Sequence, residues 1–152
     1  MNKKGVTLVE LSVVLVIIAI AAALTIPGIG RWLPGYRLRG ATRDIVSTMR
    51  TAQVKAVAGN IDYRVNFVGE RSYILQYRKT VGLDDWVDDG PEQVLPKGVQ
   101  FKDVNFGGGV SYAVFNSNST SSSGNVTLRN TREAERKIVL LANTGRVRIE
   151  GN

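Results

Sequence analysis

Between Val6 and Ile26 the chain carries one ionisable residue, Glu10, in an apolar run interrupted only by Thr7, Ser12 and Thr25. A helix of about 20 residues reaches roughly 30 Å, the thickness of a bilayer's hydrocarbon core. Lys3 and Lys4 precede the run and would stay on the cytoplasmic side, leaving everything after it outside. A carboxylate inside such a span costs about 2.5–3.5 kcal/mol, so Glu10 reads as a functional residue in need of a partner. A secretory signal is cut after its apolar core; here the expected cut lies before it, after Gly5. Removing residues 1–5 makes Val6 the new amino terminus, whose positive charge can pair with Glu10 of a neighbouring copy. The alternative is an uncleaved signal anchor, which would make this a singly anchored envelope protein.

The next residues repeat helical signals with interruptions. Pro27, Gly28 and Gly30 predict a bend or local melting, because proline removes a backbone donor and glycine lowers helix propensity. Arg31 and Trp32 read as an interfacial anchor. Pro34-Gly35 is a second weak point, and a distorted but continuous helix is expected across the region. From residue 36 to 58 the pattern becomes amphipathic, with Leu38, Ala41, Ile45, Met49, Ala52 and Ala56 forming one apolar stripe at three- and four-residue steps. Arg37, Arg39, Arg43, Asp44, Arg50 and Lys55 fall largely off it: a solvated basic face, or more sharply a surface for DNA. Gly59-Asn60 is the expected stop.

Strand patterns follow at 61–67, 73–77, 93–95, 99–101, 110–115, 125–128, 137–142 and 146–149. Gly69-Glu70, Pro96-Lys97-Gly98, Gly107-Gly108-Gly109 and Asn143-Thr144-Gly145 serve as turns between them. One long helix followed by short antiparallel strands predicts an α+β fold, with the amphipathic half of the helix packed on the sheets. The division expected is a leader at 1–5, a membrane-spanning half-helix at 6–35, and a globular head at 36–152 with its β-region at 61–150.

Two segments stand apart. Residues 84–92 hold five acidic side chains, oxygen ligands suited to calcium but without EF-hand spacing; a solvated or subunit-contacting loop is the other reading. Residues 116–124 are rich in Ser and Asn, and read as a mobile linker with little apolar surface to bury. The chain has no Cys and no His, which removes disulfides, Cys/His metal sites and the commonest general base. No catalytic constellation and no cofactor site emerges, so a non-enzymatic role is expected. Net charge is +7, falling to +5 without Lys3 and Lys4, and the basic side chains are mostly Arg, suited to carboxylate or phosphate.

Lys-Lys-Gly followed by Val-Thr-Leu-Val-Glu-Leu resembles the leader of type IV pilins and type II secretion pseudopilins. The resemblance implies cleavage between Gly5 and Val6 by a prepilin peptidase, methylation of the new amino group, and assembly through Glu10 at the fifth position after the cut. It also implies an inner-membrane assembly platform and other pilins or pseudopilins as partners, with membrane around the helix before assembly. Val6 departs from the Phe most often found first, and Pro27 falls where such helices often carry a proline. Residues 126–129, 136–141 and 144–149 are similar to the C-terminal half of GspH/FimT-type minor pilins. In some FimT-type members a Gly-Arg-x-Arg stretch binds DNA; Gly145-Arg146-Val147-Arg148 matches it. Arg146 and Arg148, two apart on a strand, would share a face and meet adjacent phosphates. The same pattern equally suits a hairpin turn and a charged edge strand.

Overall fold

The computed structural model describes residues 6–80, 82–142 and 144–151, with the side chains of residues 24–31 outside that description. Helix α1 covers Leu8–Gly59, and the chain divides into two compact units, Met1–Leu33 and Pro34–Asn152. Thr7 opens α1: its hydroxyl accepts the Glu10 amide at 3.2 Å and its carbonyl accepts the Leu11 amide at 3.1 Å. Thr7 is thus the N-cap of α1 and Glu10 its N3 residue, with the spacing of a capping box. In this first unit the apolar side chains from Val6 to Ala23 are exposed all round. From Leu8 to Ile20 the large ones range from 81% exposed at Leu8 to 48% at Val14. Among the described residues no helix is long and apolar enough to cross a membrane. The described apolar side chains stop at Ala23, and the expected bend at residues 25–30 and Arg31 of the interfacial pair carry side chains outside the description. Trp32 is exposed, and the helix assignment runs through Pro27 and Pro34 without interruption.

In the second unit the same helix behaves oppositely. Leu38, Ala41, Ile45, Met49, Ala52 and Ala56 are all buried, joined by Val46 and Thr42. Thr42 is tolerated in the core because its hydroxyl donates to the Leu38 carbonyl at 2.7 Å. Asn60, at φ +49°, takes the left-handed conformation that closes the helix after Gly59.

Nine strands follow among the described residues: β1 Tyr63–Val68, β2 Ser72–Arg78, β3 Trp86–Asp88, β4 Gln93–Val94, β5 Val99–Phe106, β6 Tyr112–Phe115, β7 Gly124–Asn130, β8 Glu135–Leu141 and β9 Arg146–Glu150. They form two antiparallel sheets, one ordered β3-β2-β1-β6 with β4 also on β2, the other β5-β7-β8-β9. β1 alternates buried Tyr63, Val65 and Phe67 with partly exposed Arg64 and Asn66, and β7 alternates likewise at Val126, Leu128 and Asn130. Phe67 joins the sheets, meeting Phe101 edge-on at 5.2 Å and stacking on Phe106 at 5.9 Å. Such aromatic pairs add about 0.5–1.5 kcal/mol each beyond the area they bury.

Three expectations need correction. The acidic segment is not all loop: Trp86–Asp88 is a strand, paired with Gln76–Arg78. β5 extends to Phe106 rather than ending at Phe101, because an irregularity between Phe101 and Asp103 shifts the register and breaks the simple alternation. The serine-rich stretch is a hydrogen-bonded turn: the Asn116 amide donates to the Thr120 carbonyl at 2.8 Å, the Ser122 amide to the Val114 carbonyl at 2.9 Å, and Ser121 bridges Phe115.

Candidate functional site

Of the expected processing residues, Gly5 lies outside the described residues and Val6 is exposed just ahead of the Thr7 cap. Glu10 sits in the first turn of α1, where a negative charge is favoured by the helix dipole, and its carboxylate makes no ion pair among the described residues. Its apolar neighbours Leu8, Val9, Ser12, Val13, Val16 and Ile17 line a shallow, almost wholly apolar depression. This end offers a carboxylate without an ion pair and an apolar surface left uncovered among the described residues.

In the second unit, β9 is the edge strand of its sheet, with Leu141 opposite Arg146 and Val139 opposite Arg148. Val147 turns inward against the core while Arg146 and Arg148 are exposed, so the two arginines do share the outer face. Arg148 is partly neutralised, its Nε lying 3.8 Å from Glu150. Arg146 makes no side-chain ion pair among the described residues. The turn before it is fixed by Gln53, whose Nε2 donates to the Thr144 carbonyl at 3.2 Å. Gly145 is at φ +60°, which favours glycine, and a Cβ there would displace the Gln53 amide from the turn. Arg50 and Arg146 both line an open cavity of about 520 Å³, together with Gln53 and the turn. Arg50 and Gln53 are the residues that sequence alone does not attach to the tail. Two of the other basic residues near the tail are compensated: Arg129 pairs with Glu133 at 2.9 Å and Lys102 with Glu135 at 2.6 Å.

The acidic segment is not gathered round a point. Asp84 accepts from the Trp86 indole at 2.6 Å, Asp88 from Gln76 at 2.7 Å, and Asp89 pairs with Lys55 at 2.7 Å. Among the described residues no three acidic side chains converge as a metal site would require. What anchors the segment is a stack that sequence patterning does not reveal. The Arg64 guanidinium lies 4.4 Å from the Trp86 ring and 5.0 Å from Tyr112, with Arg78 4.9 Å from Trp86 and 2.9 Å from Asp62. Burial lowers the Arg64 pKa from its ordinary value, and the nearby Asp84 opposes that shift. Lys55 is raised, chiefly by its hydrogen bond to Asp89.

Comparison with known proteins agrees with this geometry. Residues 1–26 match the prokaryotic N-terminal methylation motif, and residues 41–145 match the family described as type II transport protein GspH. No curated protein matches the chain. Among solved structures, the minor pseudopilin EpsH of the Vibrio cholerae type 2 secretion system superposes with a TM-score of 0.62 at 12% identity, over 76% of this chain and 97% of that one. A second crystal structure of EpsH gives 0.60 at 13% identity, over 76% and 94%. The solution structure of Escherichia coli GspH gives 0.63 at 10% identity, over 80% and 94%. At these identities the likeness speaks for the fold.

Proposed function

The chain belongs to the GspH family of type II transport proteins, structural pseudopilins rather than enzymes, and from that premise we propose that it is cut after Gly5 and assembled into a pseudopilus through Glu10 and its N-terminal helix. Membership implies a membrane-anchored subunit of the envelope that shares a filament with other pseudopilins. The finer course proposed is an inner-membrane precursor spanning at residues 6–35, with its head in the periplasm, processed by a prepilin peptidase and handed to an inner-membrane assembly platform.

The observation that carries this is the first unit's helix: apolar and exposed all round through Ala23, with one unpaired carboxylate in its capped first turn. A helix apolar on every side needs lipid or other helices around it. Once cleaved, a free amino group at Val6 would sit at the positive end of the helix dipole, where a cation is disfavoured. Glu10 of a neighbour would relieve both charges as helices leave lipid for one another. Mass spectrometry of the N-terminal peptide tests the first step: the mature protein should begin at Val6 with a methylated amino group. A start at Met1, or beyond Ala23, removes the proposal and leaves a singly anchored envelope protein.

A second reading, DNA binding by the tail, draws support from the exposed Arg146 and Arg148 and from Arg50 on the same cavity. Full-length protein in detergent should then bind duplexes of unrelated sequence, with affinity falling steeply as salt rises. Arg146→Gln with Arg148→Gln should weaken binding and flatten the salt dependence by about two phosphate contacts. Equal binding by the double variant, or none by wild type near physiological salt, ends this reading. Calcium has no gathered ligand set to support it, and the acidic segment is better read as protein-facing.

A further inference from the structure

The head half of α1 has two flanks of different composition. At about 100° per residue, Tyr36, Arg39, Arg43, Arg50, Val54 and Val57 fall in one sector roughly 60° wide and about 32 Å long. All six are exposed, with Tyr36 at 60% and Val54 at 67%. The three arginines make no side-chain hydrogen bond or ion pair among the described residues, and the sector holds no acidic residue. Its edge reaches the tail, where Arg50 and Arg146 line one open cavity. The opposite flank carries Asp44, Thr48, Thr51 and Lys55, with charges of both signs. The chain covers part of that flank itself: Asp44, Thr48 and Thr51 line a groove shared with Tyr73 and Asp89, and Lys55 holds Asp89 at 2.7 Å.

We infer that the arginine flank is the surface by which the head docks on a different pseudopilin, one that presents a row of carboxylates beside an apolar strip. This rests on the filament-subunit proposal and adds to it the face used and the chemistry of the neighbour. Tyr and Arg are enriched in protein interfaces whereas Lys, Asp and Glu are depleted, and the flank follows that rule along its length. Three unneutralised guanidiniums spread over about 16 Å select carboxylate or phosphate. Val54 and Val57 favour a protein over a polyanion, since phosphates would leave both in water. Net charge favours another subunit over a second copy. Without Lys3 and Lys4 the side chains sum to +5, so two copies repel while an acidic neighbour is drawn in. Ile45, Met49 and Ala52 are wholly buried and hold this part of the helix in place, so that docking orders little beyond side chains.

The test puts the photo-reactive benzoylphenylalanine in place of Val54 in the full-length chain. This chain is expressed in cells with each of the other pseudopilins of its secretion system, tagged one at a time. Illumination of membranes and sheared filaments should join it to one of them, at a peptide with Asp or Glu within about two helical turns of the attachment point. Arg43→Glu with Arg50→Glu should cut that product about tenfold, and reversing the partner's carboxylates to Lys should restore it. A product made of two copies of this chain, an attachment site without carboxylates, or a yield indifferent to charge reversal overturns the inference. So does the lack of any product from chains that are cut after Gly5 and incorporated, an outcome that leaves the subunit role standing. A chain neither cut nor incorporated is instead the failure of the filament proposal, and takes this contact with it. Duplex DNA bound by the full-length chain in detergent and lost with Arg43→Glu and Arg50→Glu, while no subunit is joined, makes the flank a polyanion surface and overturns the contact too.

Discussion

Helix α1 is one element with two economies of apolar surface. Before residue 24 the side chains of Val13, Ile17 and Ile20 are each more than half exposed; after residue 37, Leu38, Ile45 and Met49 are nearly or wholly buried. Both halves are helical, so helix formation does not set the difference. The head half alternates apolar with charged residues at the helical period, which supplies one sticky face for the sheets and a wet face for solvent. The N-terminal half has no wet face through Ala23, and among the described residues its apolar side chains stay exposed. The head half completes its packing alone; the N-terminal half must find its environment elsewhere.

The comparison is broken most strongly by truncating each half in turn. Phe67→Ala, at the junction of the two sheets, should cost the head about 3–5 kcal/mol in denaturant unfolding, whereas Ile17→Ala should leave head stability unchanged. A matching loss from Ile17→Ala would mean that the N-terminal half is packed after all. Next comes Glu10→Ala, which removes an intramembrane charge worth about 2.5–3.5 kcal/mol. Membrane insertion should be retained or improved while incorporation into filaments falls, as read by fractionating sheared filaments from membranes; normal incorporation would discard the pairing idea.

Smaller effects probe the head's surface. Gly145→Ala forces an alanine into the left-handed region against Gln53, and should cost about 1–2 kcal/mol, seen as faster amide exchange at the turn preceding Arg146. Smallest is Lys55→Gln, a half-exposed pair whose loss should cost under about 1 kcal/mol. The sign with pH is fixed by the direction of the shift. The Lys55 pKa is raised in the folded protein, so its contribution is present at neutral pH and fades as pH climbs through that raised value. On the alkaline side, wild type and Lys55→Gln should therefore converge in stability once the pH passes that raised value.

What could be read in advance divides along the range of the forces involved. The stripe from Leu38 to Ala56 was legible because its period is local, and all six residues are buried. The turn at Gly69 and the helix stop at Asn60 were legible because both need positive φ, found at +59° and +49°. β3 was hidden, since Trp86–Asp88 is extended only by virtue of Gln76 and Arg78, the partners that its acidic composition does not announce. The tail arginines were visible as a motif, yet their surroundings were not: Gln53 and Thr144, which join helix to turn, stand 91 residues apart in sequence. The Thr7 cap with Glu10 at N3 is within reach of spacing alone, although the cost of a carboxylate in an apolar span is the stronger signal at that residue.

That cap has a geometric consequence. Thr7 fixes the first turn of a rigid rod, leaving only Val6 ahead of it in a chain cut after Gly5. The amino group then has almost no slack, and it lies about 6 Å along the axis from Glu10. Neighbouring rods that match amino group to carboxylate must be staggered by close to one helical turn. Moving the cut by a single residue would shift the charge by about 1.5 Å and turn it about 100° round the rod. The position of the scissile bond would in this way set the phase at which one subunit meets the next.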